Sequence, residues 1–218
     1  MDVGDVNFMF EDGLEIRVGK FNRKIRRLHS GWVTGAGCFP LLHWCFQELE
    51  MQDVGNLGAV RQTLHKVLQR YGPIILQQLP GHKKEIERTT LLLVHERNRA
   101  FSLQPLRLNG QDLQQDKAHF YFLNPPELDD LTSAQITMEF GKKFQAPYDM
   151  QGVIIGLRTI AETFHSIYQK SNTVSDMIEV GMMLRSSDGK VIEFQMLAET
   201  TSIIIAPDAQ VVKLLKRI

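Results

Sequence analysis

Cysteine is scarce in this chain of 218 residues: Cys38 and Cys45 are the only two. Seven positions apart on a helix, they sit near one face but two turns apart, too far to bridge. That argues against a disulfide-stapled fold and fits a reducing compartment or indifference to redox. No run of 18 apolar residues occurs, so no transmembrane helix is expected. The start, Met1-Asp2-Val3-Gly4-Asp5, is acidic and lacks the basic and apolar regions of a secretory leader, so a cytoplasmic location is expected. Surplus charge of either sign is missing too, since 25 Lys+Arg balance 25 Asp+Glu. Nucleic-acid binding on a large scale, which needs a basic excess, is therefore not expected. HExxH, P-loop and GxSxG patterns are absent. His95-Glu96 opens like a zinc motif, but no His follows at the fourth position, and His43-Trp44-Cys45 has too few ligands for a structural zinc. No metal and no cofactor is expected.

What is present describes a globular protein. Hydrophobic residues make up 43% and charged residues 23%, enough apolar surface to offset the entropy of ordering the chain. The length suits one large domain or two small ones. With no linker, repeat or low-complexity stretch, the reading is a single domain over residues 1–218.

Two short strands are expected first, Val6 to Phe10 and Leu14 to Val18, around a turn at Glu11-Asp12-Gly13. Ile25 to Val33 reads as one further strand, ending at Thr34-Gly35-Ala36-Gly37. Leu42, Cys45, Phe46 and Leu49 then recur at helical spacing. A second helix is capped by Asn56, carries the stripe Leu57, Val60, Leu64, Val67, Leu68 and Tyr71, and is expected to stop at Gly72-Pro73. Strands follow at Thr89 to His95, Arg99 to Leu108 and His119 to Leu123. The strongest helical pattern runs from Asp149 to Gln169, with Leu157 and Phe164 in mid-stripe. Asp176 to Leu184 and Val191 to Leu197 read as a hairpin across Ser187-Asp188-Gly189. Ser202 to Ile205 reads as one more strand, and Val211 to Leu215 as a short helix. Helices grouped in blocks favour an α+β fold with sheets layered between helix pairs.

Among chemistry-bearing residues, His165 reads as a boundary residue satisfied by neighbours rather than a catalyst. The basic run Arg17, Lys20, Arg23, Lys24, Arg26 and Arg27 reads as a solvated strand face. As an RNA surface it would want interleaved aromatics for stacking, and Phe21 is the only one. The same region carries a resemblance. Gly4-Asp5, Asp12-Gly13, Asn22-Arg23-Lys24-Ile25-Arg26-Arg27-Leu28 and Val33-Thr34-Gly35-Ala36-Gly37 resemble the start of a proteasome-type β-subunit, closest to the bacterial proteasome-like protease subunits. By motif the resemblance covers about the first 40 residues, and by layout most of the chain.

The resemblance implies a four-layer αββα sandwich of the N-terminal nucleophile hydrolase type. One outer layer would be the helix pair from Phe39 to Tyr71, the other the helices around Ala134 to Gln169. It also implies homo-oligomeric rings and a peptide or amide substrate. In that family the first residue of the mature chain attacks the scissile carbonyl, with its own α-amine as base. Lys24 matches the lysine that stabilises charge, Asp5 the aspartate that orients it, and Gly37 the glycine whose turn contributes to an oxyanion hole. The family's Ser-Gly-Gly turn is absent. Ser171 to Asp176 occupies that stretch, with Ser175 and Asp176 as candidates for its role. No Thr, Ser or Cys stands at the start as numbered, so the expectation is a proteasome-like subunit that is catalytically silent in this form. The alternative is a non-enzymatic ring-forming or binding protein on the same scaffold.

Overall fold

The computed structural model describes residues 6–9, 15–18, 25–29, 31–97, 100–108, 128–144, 149–171 and 174–217. The chain forms two compact units, residues 1–121 and 122–218. Both mix helices with antiparallel sheet, so the class is α+β.

The first unit opens with a two-stranded sheet, β1 (Val6–Met9) and β2 (Glu15–Val18), paired with Val6 opposite Val18. The stretch read as one strand from Ile25 to Val33 is two. β3 (Arg26–Leu28) and β4 (Gly31–Ala36) pair antiparallel, with Leu28 opposite Gly31. Gly31 also meets a strand further along the chain: a Cβ there would lie 2.3 Å from the Val94 carbonyl oxygen, so only glycine brings the two backbones this close.

Next come α1 (Phe39–Leu49), α2 (Leu57–Gln78), α3 (Lys83–Arg88), β5 (Thr90–Arg97) and β6 (Ala100–Arg107). The main sheet has the order β3-β4-β5-β6. Pro105, which cannot donate to a ladder, lies in β6 at its edge. One sheet face sends Val33, Leu91, Leu93 and Leu106 into a core shared with Leu41, Leu42, Cys45 and Leu49 of α1 and Val60, Leu64, Val67 and Ile75 of α2. Phe39, Trp44 and Phe46 of α1 are partly buried against this core, Trp44 stacking on Tyr71 of α2 at 4.2 Å between ring centroids.

Asn56 caps α2, its side chain accepting from the Ala59 N–H. The helix does not stop at Gly72-Pro73 but continues to Gln78. Pro73 loses one backbone hydrogen bond, yet its ring is exposed to solvent, and continuing the helix seats Ile75 in the core at 1% exposure. Burial of that side chain outweighs the missing bond.

The second unit contains α4 (Asp130–Lys143), α5 (Met150–Tyr168), β7 (Met177–Arg185), β8 (Val191–Glu199), α6 (Thr200–Ile205), α7 (Asp208–Leu214) and β9 (Lys216–Arg217). The sheet order is β7-β8-β9. Asp149 caps α5 by accepting from the Gly152 N–H at 2.7 Å, as the sequence pattern requires. Val153, Ile154, Leu157 and Ala161 meet Ile178, Met196 and Ala198 of the hairpin and Ile203 and Val211 of the last helices. Phe164 does not follow the expected stripe and is 38% exposed. Arg158 locks this corner, reaching Asp208 at 2.7 Å and donating to the Ala206 carbonyl at 2.8 Å.

The strand expected at Ser202 to Ile205 is instead the end of α6. A single helical turn buries Ile203 completely, which decides the matter against the β-preference of three successive isoleucines. The strand expected at His119 to Leu123 lies outside the described residues.

One core residue of the first unit is anomalous. His95 on β5 is 3% exposed, and neither ring nitrogen has a hydrogen-bond partner among the described residues. Unpaired buried polar atoms are costly, whereas an apolar side chain of similar size is not. His95→Leu is expected to raise stability by about 1 kcal/mol, read from the midpoint of chemical unfolding. A loss of that size would mean the imidazole makes a bond that matters.

Candidate functional site

The candidate residues fall in both units. Asp5 and Lys24 lie outside the described residues. Gly37 is the turn between β4 and α1, with φ of +122°. A Cβ there would sit 2.6 Å from both Cα and Oγ1 of Thr89. The next residue continues the contact: the Cys38 N–H donates to Thr89 Oγ1 at 3.0 Å, and that hydroxyl donates to the Glu85 carbonyl at 2.7 Å. The turn is therefore fastened to the start of β5 through one fully buried threonine. Sequence reasoning missed Thr89, because nothing local marks it. Burial pushes the Cys38 and Cys45 thiols above their ordinary range, so neither is a ready nucleophile.

Close to the strand that follows Lys24, a groove of about 130 Å3 opens between β3 and α1. It is lined by Arg26, Arg27, Leu28, His43, Phe46 and Glu50. It is small beside the roughly 300–1,000 Å3 of ordinary ligand pockets. Burial, and then the Arg26 guanidinium nearby, hold His43 below its ordinary value near 6.5. The unfolded chain then takes up a proton that the folded one resists. Stability carried by this group is present above that value and falls as the pH drops through it. Replacing His43 with glutamine is expected to flatten the pH dependence of unfolding below about pH 6.5, measured as midpoints across a pH series. An unchanged slope would refute it.

In the second unit, Ser175 is exposed and its hydroxyl donates to the Met177 carbonyl at 3.2 Å. Asp176 belongs to a tighter arrangement. Its Oδ1 accepts from the Thr200 hydroxyl and lies 3.3 Å from His165 Nδ1, which is also 3.0 Å from Thr200 Oγ1. The Thr200 N–H donates to the Asp176 carbonyl at 2.9 Å. On the far side of the ring, Nε2 faces the Gln169 amide at 3.0 Å.

These residue types belong to nucleophilic relays, but the geometry differs. A relay needs the carboxylate on one imidazole nitrogen and the hydroxyl on the other. Here both converge on Nδ1, and Thr200 is fully buried. The arrangement instead ties the end of α5 to the starts of β7 and α6. His165 is satisfied by these neighbours, in keeping with its place at the edge of the apolar stripe. Thr200 has no signal in the sequence, because its contact with His165 spans 35 positions, whereas Gln169 stands one helical turn after His165.

Among the described residues, no group of three or more His, Cys, Asp or Glu could hold a metal ion, and no helix is long and apolar enough to cross a membrane. Comparisons with protein-family models, curated proteins and solved structures found no match for this chain.

Proposed function

We propose that this chain is a proteasome-like subunit on the N-terminal nucleophile hydrolase scaffold, a peptidase or amide hydrolase in class, that assembles into homo-oligomeric rings. The observation that carries the reading is the β3-β4-β5-β6 sheet. One face is covered by α1 and α2. By register the other face bears Trp32, Leu92, Val94, Leu103 and Pro105. A sheet apolar on both faces needs a layer against each. In the second unit α5 packs on β7 and β8 in the same helix-on-sheet manner. Both features support a four-layer αββα sandwich with helices outside and sheets inside. In this reading Lys24 and Asp5 carry the charge chemistry and the turn at Gly37 contributes to the oxyanion hole. A cytoplasmic location goes with it.

A second reading, a non-enzymatic ring-forming protein on the same scaffold, draws support from Asp176. Its carboxylate is engaged by Thr200 and His165 at a packed junction. Hydrolysis of fluorogenic peptide amides tests the pair. In a form that presents an N-terminal Thr, Ser or Cys, the peptidase reading expects activity that Lys24→Ala abolishes and Lys24→Arg does not restore, because a guanidinium is too wide for a point-charge site. Such a form that is inactive yet scatters light as a multiple of the chain mass decides for the second reading. A monomer at micromolar concentration overturns both.

A further inference from the structure

The groove between β3 and α1 holds a cation that the chain leaves unused. Arg26 stands opposite Val33, so it leaves β3 on the same sheet face as Leu28 and Val33, the face that packs on α1. It is half-buried. Its Nε is shut off from water and has no hydrogen-bond partner among the described residues. Arg27 differs: it stands opposite Trp32, is exposed, and has an interaction of its own. The charge left over is therefore that of Arg26.

Across the groove, α1 presents His43, Phe46, Gln47 and Glu50, the spacing of one helix face. Leu28 is buried and Phe46 partly buried, so the guanidinium sits beside hydrocarbon. Glu50 is the one carboxylate of the lining; it is exposed and forms no ion pair with Arg26 among the described residues. β3 is an edge strand, and an inward charge there can serve to block edge pairing. A lysine reaching water would do that without burying an unbonded donor, which costs stability. A half-buried arginine with a free fork, facing a groove, is suited to a ligand.

We propose that this groove binds a small monocarboxylate, its head group accepting from the outer amines of Arg26 and the Gln47 amide and its hydrocarbon body lying on Phe46 and Leu28. The volume of about 130 Å3 admits a ligand of a few heavy atoms and no nucleotide or larger cofactor. Glu50 at the groove disfavours a dianion such as sulfate or a phosphate group. The charged residues of the groove that face His43 are Arg26 and Arg27 of β3 and Glu50 of its own helix. Burial, and then Arg26, hold His43 below its ordinary value. A bound carboxylate opposes the Arg26 contribution, so it should raise the midpoint at which His43 titrates.

The test is nuclear magnetic resonance of the histidine ring protons during titration with benzoate, the His43 signal being the one lost in His43→Gln. Saturable shifts of that signal are expected, together with a higher His43 titration midpoint at saturating benzoate. Benzamide, of the same shape without the charge, should move neither. Arg26→Gln should weaken benzoate binding about tenfold, and it should keep its unfolding midpoint because it removes a charge without a partner. Glu50→Gln, at an exposed position, should tighten binding, and the sign of that change decides even if Arg26→Gln folds poorly. Arg107→Gln, exposed on the opposite edge strand β6, makes the same change in net charge as Arg26→Gln and should bind as the unaltered protein does. Shifts that do not saturate, equal binding of benzamide, sulfate binding as tightly as benzoate, unaltered binding in a folded Arg26→Gln, an equal loss in Arg107→Gln, or weaker binding in Glu50→Gln would each overturn the proposal.

Discussion

Gly37→Ala is expected to destabilise the first unit by about 3 kcal/mol, whatever the protein's activity. A φ of +122° lies where an L side chain is strained, at a cost of roughly 1–3 kcal/mol. The added methyl would also meet the Thr89 Cα at 2.6 Å, and backbone cannot rotate away as a flexible side chain does. Displacing Thr89 breaks the bonds from the Cys38 N–H and to the Glu85 carbonyl. Chemical unfolding followed by Trp fluorescence measures the cost. A change below about half a kcal/mol would show that the turn relaxes freely. Lost activity in a Gly37 variant is thus no evidence of an oxyanion role unless stability has been measured alongside.

The second large effect belongs to α5. Leu157→Ala is expected to cost about 2–5 kcal/mol, because the side chain is 3% exposed and packs with Val153, Ile154, Ala161 and Ile178. Phe164→Ala, one heptad further on, should cost under about 1 kcal/mol, since that ring is 38% exposed. The pair separates true burial from helical periodicity. Equal losses at both sites would mean that Phe164 is covered in solution by another surface, which the ring proposal would then have to supply.

Much of the secondary structure is legible in the sequence, and for local reasons. Asn56 and Asp149 mark helix starts, because a short side chain that accepts from a backbone N–H three residues on is a nearest-neighbour device. The β7–β8 hairpin is legible from alternating apolar residues around Ser187-Asp188-Gly189, where Gly189 takes a φ of +84°. The candidate site is less so. Ser175 and Asp176 stand out only as occupants of a stretch where a turn is expected. The partners that give Asp176 its role, His165 and Thr200, come from a helix before it and the start of another after it. Gly37 stands out for a backbone N–H, and its contact with Thr89, far along the chain, has no local trace.

The sequence alone determined what short-range physics controls: the α+β mixture of elements, the capped helices α2 and α5, and the alternating hairpin of the second unit. Tertiary structure decided wherever a local preference and a burial opportunity disagreed. Proline should have ended α2 at Tyr71, but seating Ile75 in the core was worth more than one backbone bond. Isoleucines 203–205 favour a strand in isolation, but one helical turn hides Ile203 against α5 and β8. Leu157 and Phe164 carry the same periodic signal, yet only the first faces a partner. A residue's own neighbours set its torsional preferences, while the area it removes from water depends on segments far away in the chain. Where the two conflict, burying that area outweighs the local preference.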